Sequence, residues 1–167
     1  MKIISKITMG LDKVSNTPVI FLFLEKTHLA LPIWIGPCEA GILAMALKKE
    51  KFDRPLTHDL YINTLKKMGY SITQIVITKI EKNIYHSNIY LKNSEEKSVI
   101  IDSRPSDAII LAVKNETSIF LDDDIAINNA VEVDFLGDIE EDRDDLKKML
   151  DEFNIDNMKD YFNKGDE

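Results

Sequence analysis

Chemistry-bearing side chains concentrate in two short segments. In Arg54-Pro55-Leu56-Thr57-His58-Asp59, a histidine stands beside a carboxylate and close behind an arginine. Its imidazole can serve near neutral pH as a base, a donor to phosphate or a metal ligand. In Ile101-Asp102-Ser103-Arg104-Pro105-Ser106-Asp107, an acid and an arginine precede a proline suited to the first position of a helix. The planar fork of Arg104 matches phosphate or carboxylate, and a helix N-terminus beside it already favours anions. Each segment also has a structural explanation. Thr57 is a good N-cap, Asp59 suits a first helical turn, and Asp102 with Arg104 can form an ion pair.

An internal repeat helps to choose between these readings. At an offset of 68 residues, Pro37, Ala40, Ile42, Leu43 and Ala44 recur as Pro105, Ala108, Ile110, Leu111 and Ala112, and Glu39 is answered by Asp107. Where the copies agree, the fold is the economical explanation. If Gly36 and Arg104 are N-caps, Glu39 and Asp107 fall at the third helical position, where a carboxylate bonds the cap's backbone N–H. Where the copies differ in polarity, something beyond the fold is required. Ile33-Trp34-Ile35-Gly36 in the first copy becomes Ile101-Asp102-Ser103-Arg104 in the second, which marks Asp102 and Arg104 as functional candidates. The hexapeptide from Arg54 to Asp59 has no counterpart at all.

The elements that must position these residues are legible from hydrophobic periodicity. Ile3 to Met9, Val19 to Leu24 and Leu29 to Ile35 read as strands, followed by a helix from Pro37 to Leu47. A second helix opens near Thr57 and stops at Gly69, a usual terminator. Strands are then predicted at Ile72 to Lys79, Ile84 to Leu91 and Ser98 to Asp102, a helix from Pro105 to about Lys114, and a short strand from Ser118 to Leu121. Two strand-strand-strand-helix units, about 1–50 and 70–121, are thus joined by a helix over 55–68. Neither unit can bury its apolar face alone, so an α+β fold is expected, with one mixed or antiparallel sheet packed with helices over 1–135. Residues 136–167 read as an acidic helical tail, with Leu146, Met149, Leu150 and Phe153 on one stripe.

Charge is divided unevenly. The chain of 167 residues carries 21 Lys and Arg against 29 Asp and Glu, a net charge of -8. Residues 1–121 hold sixteen basic against twelve acidic side chains, net +4, and residues 122–167 hold five against seventeen, net -12. The body therefore accepts a phosphate-bearing partner and the tail repels one. An apolar content of 44% excludes collagen-like and wholly disordered classes, and a single cysteine, Cys38, excludes an intramolecular disulfide. One thiol, no signal-peptide pattern and no apolar run approaching the roughly 20 residues of a membrane span lead us to expect a cytoplasmic protein without a membrane partner. Gly-rich phosphate loops, His-Glu-x-x-His, Cys-x-x-Cys and Gly-x-Ser-x-Gly are all missing.

Taken together, Leu31-Pro32-Ile33-Trp34-Ile35-Gly36-Pro37 with Glu39-Ala40, Arg54 through Leu60, and Ile101 through Ala108 resemble the bifunctional nuclease (BFN) domain family, in its bacterial single-domain form. The resemblance runs in order from Met1 to about Asn129. Cys38 departs from it, standing where a bulkier residue such as Phe is expected. The family resemblance implies an α+β fold with a duplicated strand-and-helix motif, and hydrolysis of phosphodiester bonds in DNA or RNA. On that basis His58, Asp59, Asp102 and Asp107 would be catalytic, and Arg54, Arg104 and Ser106 would bind phosphate. Asp102, Asp107 and Glu39 would hold Mg²⁺ or Mn²⁺ through oxygen ligands. A homo-oligomer, first a dimer, is expected. The rival reading is a non-catalytic oligomeric regulatory or scaffold protein, whose polar motif is a structural network or an anion site.

Overall fold

Alternating apolar residues build two three-stranded meanders, and the computed structural model of the protein describes residues 1–12 and 14–132 of it. The first meander is β1 (Lys2–Asp12), β2 (Thr17–Leu24) and β3 (Leu29–Trp34), followed by helix α1 (Pro37–Leu47). Helix α2 (Thr57–Lys67) leads to the second, β4 (Tyr70–Glu81), β5 (Ile84–Asn93) and β6 (Ser98–Ser103), followed by α3 (Pro105–Asn115). Strand β7 (Ile119–Leu121), helix α4 (Asp123–Asn129) and a short β8 (Val131–Glu132) complete the described residues. The expected acidic tail over 136–167, and the end of the domain boundary placed at 135, lie outside them.

All eight strands form one mixed sheet in the order β6-β5-β4-β7-β1-β2-β3-β8. From β7 outward, each side reads first, second, third strand of its own unit, so the duplication seen in the sequence is also the symmetry of the sheet. β7 pairs antiparallel with β1 through Ile3↔Phe120 and parallel with β4 through Val76↔Phe120, which makes it the seam between the units. Every other pairing is antiparallel. β8 was not foreseen, because two residues carry no periodic signal; it adds to β3 through Ala30↔Val131.

One face of the sheet carries the helices. Ile20, Leu22, Leu31 and Ile33 from the first unit and Ile75, Ile77, Ile89 and Leu91 from the second share a single core with Leu43, Ile62, Ile109 and Ile110 of the helices. α1 packs on α3, and α3 on α2. α1 is buried through Ala40, Gly41, Leu43, Ala44, Met45 and Ala46, nearly all round, and small residues let it lie close to its neighbours. α2 ends at Gly69, whose φ of 81° is the left-handed cap conformation that its sequence position predicts. Val19, Phe21 and Ala30 form a separate cluster, on the side of β2 and β3 opposite to the core residues.

Candidate functional site

The two third strands deliver two helix starts to one place. Gly36 and Arg104 are both extended N-cap residues, each followed by a proline that enters the helix. Strand β6 is anchored just before Arg104 by a buried serine: Ser87 Oγ donates to Ser103 O at 2.8 Å and lies 2.9 Å from Ser103 Oγ. Ser87 escaped sequence reasoning, although its inward register between Tyr85 and Ile89 is the available signal.

Arg104 ties the two units together. Its Nε donates to Asp107 Oδ2 at 2.8 Å and Nη2 to Asp107 Oδ1 at 3.1 Å, a bidentate pair. Nη1 donates across the repeat boundary to Glu39 Oε1 at 2.9 Å. Asp107, more than Glu39, raises the guanidinium pKa further above its ordinary range. The Arg104 side chain is still 65% exposed, and the second hydrogen on each terminal nitrogen has no partner among the described residues. Glu39 and Asp107 do sit at the third helical positions, as expected, but their carboxylates turn to Arg104 rather than to the cap N–H groups. Glu39 folds back so closely over Gly36 that a Cβ there would overlap its Oε2. The second unit resolves the same crowding differently, with a side chain on the cap and an acid one carbon shorter.

Behind Asp107 stands His58, with Nε2 at 3.4 Å from Asp107 Oδ1, longer than an ordinary hydrogen bond. Its Nδ1 is buried and has no hydrogen-bond partner among the described residues. Neither nitrogen therefore meets solvent freely, and the histidine is placed to support Asp107. Asp59 is engaged twice, by the Leu56 backbone N–H at 3.1 Å and by Lys114 Nζ at 2.7 Å. The N-cap of α2 is thus Leu56, not Thr57: Asp59 supplies the carboxylate half of a capping box, and leucine has no acceptor to return it.

Beside Arg104 runs a groove of about 330 Å³, lined by Trp34, Gly36 and Glu39 of the first unit, by Arg104, Pro105 and Ser106 of the second, and by the tip of the β4–β5 hairpin, Asn83 to Tyr85. Ser106 is only 8% exposed, and its hydroxyl has no hydrogen-bond partner among the described residues. Trp34 is 53% exposed, yet fixed: its indole Nε1 donates to Asp12 Oδ2 at 2.9 Å. That bond, with those from Val14 and Ser15 N–H, lowers the Asp12 pKa to about 2. Lys82 and Asn83 both take positive φ, as a two-residue hairpin turn demands, and bring Ile84 into the lining of the groove.

Two expected site residues stand elsewhere. Asp102 faces Asn88 in the β5–β6 ladder. Val99 and Ile101 point to the core, so Asp102 projects from the opposite side of the sheet. Arg54 is exposed in the loop before α2, with no ion pair among the described residues. The divalent-ion set of Asp102, Asp107 and Glu39 does not fit this arrangement. Asp102 is on the wrong face, and the other two acids already embrace a fixed cation. Among the described residues no group of three or more His, Cys, Asp or Glu is arranged to hold a metal.

A family model described as Bifunctional nuclease domain matches residues 20–134. The chain belongs to this family. An uncharacterized protein of Mycobacterium tuberculosis is 26% identical over 112 residues, 67% of this chain and 66% of that protein. Bifunctional nuclease 1 of Oryza sativa subsp. indica is 27% identical over 124 residues, 73% of this chain and 38% of that one. Bifunctional nuclease 1 of Arabidopsis thaliana is 29% identical over 119 residues, 70% of this chain and 37% of that one. The BFN match to the mycobacterial relative spans just under two thirds of its length, and the matches to the plant proteins under two fifths. Among the described residues, no helix is long and apolar enough to cross a membrane.

Proposed function

We propose that this BFN protein hydrolyses phosphodiester bonds of DNA or RNA in the groove where α1 and α3 begin. The observation that carries this reading is Arg104, which keeps free N–H groups on the lip of a groove flanked by two helix N-termini. A phosphate there meets the guanidinium, the Ser106 hydroxyl and the positive ends of two helix dipoles. Glu39 supplies the base. Its Oε1 is bound to Arg104, and its Oε2 is left to take a proton from an attacking water or hydroxyl. As the P–O bond to the leaving nucleotide breaks, the departing oxygen takes back a proton from Glu39 or from water, and Arg104 stabilises the charge on the phosphoryl oxygens without reorganising, because Asp107 holds its fork and His58 backs Asp107.

The test is cleavage of labelled single-stranded DNA and RNA by the purified protein. Arg104→Ala should lower the rate at least about 10-fold, given the strength of charge-assisted phosphate contacts, whereas Asp102→Ala should leave it unchanged. Loss of activity in Asp102→Ala, or full activity in Arg104→Ala, overturns the assignment of the site. The regulatory or scaffold reading is favoured by one observation, that Glu39, Asp107 and Asp59 each pair with a cation of the same chain. Under that reading no strand is cleaved, and the same substitutions change stability or assembly, with a homodimer the first state to examine by light scattering.

A further inference from the structure

The groove contains more than a phosphate site needs, and the surplus is apolar and aromatic. Trp34 and Ile84 both line the groove, and both are more than half exposed. Exposed indoles ordinarily move among rotamers. This one is held by Asp12, a carboxylate itself fixed by the backbone N–H groups of Val14 and Ser15. A large aromatic ring anchored in this way is available at the surface as a contact for a ligand. Sequence distance conceals the arrangement, since Trp34, Tyr85 and Arg104 come from three separate elements and meet only at the helix starts.

We propose that Trp34 is the stacking platform for one unpaired nucleobase, whose neighbouring phosphate is held by Arg104 and Ser106. The inference rests on the nuclease reading and narrows its substrate to single-stranded or locally unpaired nucleic acid. The groove offers the surfaces a nucleotide would use: apolar area at Trp34 and Ile84, a cation with free donors at Arg104, and the hydroxyl of Ser106, a residue 8% exposed. Its volume of about 330 Å³ is at the small end of ligand pockets, which admits a nucleotide. A duplex hides the faces of its bases inside the stack, so it has none to offer Trp34.

Trp34 is the sole tryptophan of the chain, and its emission therefore reports on this one position. Titration of the full-length protein with an oligothymidylate or an oligouridylate should quench that emission, and a duplex of matched length should not. Measured by anisotropy of the labelled strand, Trp34→Ala should bind about 5- to 150-fold more weakly, the usual worth of one base–aromatic stack. Trp34→Phe, which keeps a ring, should recover most of the affinity, and circular dichroism of both variants identifies any that misfold. Asp12→Asn, which removes the ionised acceptor, should weaken binding less than Trp34→Ala does. Strand binding without quenching, with Trp34→Ala as tight as the parent, overturns the platform and leaves the nuclease reading in place. Preference for the duplex also overturns it. Failure of every strand to bind or be cleaved overturns both.

Discussion

Replacing Gly36 by alanine should separate the position of Glu39 from the stability of the fold. The backbone at Gly36, φ -73° and ψ 159°, is open to any residue, so the substitution introduces no backbone strain. What it introduces is a methyl group where Glu39 Oε2 now sits, and the carboxylate must swing away from Arg104. The change in stability is small and can be assembled. Loss of chain entropy at a compatible glycine is worth about 0.4–1 kcal/mol in favour of alanine, and alanine is the poorer N-cap by a similar amount. These offset one another. The Glu39–Arg104 pair joins an arginine side chain 65% exposed to a glutamate side chain 23% exposed, and such solvent-screened pairs contribute about 0.2–1 kcal/mol. A net loss of up to about 1 kcal/mol lowers Tm by about 4 °C or less for a domain of this size. The rate should suffer far more, since a reacting group misplaced by about 1 Å can cost about 100-fold. Thermal melting and single-turnover cleavage on the same sample provide both numbers. A parental rate refutes the role of Glu39, and a stability loss above about 2 kcal/mol shows that Gly36 serves some other packing need. Glu39→Gln, which leaves Gly36 untouched, should lose the rate with an unchanged melt.

Other substitutions address the supports of the site. Asp59→Ala removes a bond to the start of α2 and strands Lys114, only 12% exposed; it should cost about 2–3 kcal/mol in urea unfolding, and Lys114→Met in the same chain should return part of that. Arg104→Lys keeps the charge but not the fork, so it should hold Tm within a few degrees while phosphate affinity falls about 10-fold, measured by competition with inorganic phosphate. Asp12 is held at about 2, below its ordinary 3.8. The stability it contributes is complete above the ordinary value and is lost as the pH falls through 2, and Asp12→Asn should flatten that part of the acid-unfolding profile. Millimolar Mg²⁺ should leave Tm unchanged, because Glu39 and Asp107 are both already held in ion pairs with Arg104; a rise that grows with ion concentration would show that the acids rearrange to bind it.

The fold was largely legible because it is local and repeated. Val19 to Leu24 and Ile72 to Lys79 announce buried strands, and the two Pro-led, Ala-rich helices align at one offset. The comparison of copies also singled out Arg104, which proved to be the residue joining them. It grouped Asp102 with Arg104, whereas the structure sets Asp102 on the other face of an edge strand, as period-two alternation from Ile101 already implied. His58 looked like a base because it adjoins Asp59 in sequence, yet one helical position turns the two apart, His58 toward Asp107 and Asp59 toward Lys114. The groove was invisible for a different reason. Two residues that line it, Trp34 and Ile84, are ordinary strand residues until the two units assemble on either side of β7.

The crossing of Glu39 to Arg104 also bears on what each unit could be by itself. Two identical units meeting about the same seam would carry the same cap residue twice. Two glycines would leave both acids with no cation between them, and two arginines would close the space into which Glu39 folds. Covalent joining lets the two units differ at this one position while agreeing at the proline beside it. The linkage therefore turns a self-complementary contact into a lock with distinct halves, and fragments ending near Asp53 or starting near Arg54 should regain the site only when mixed.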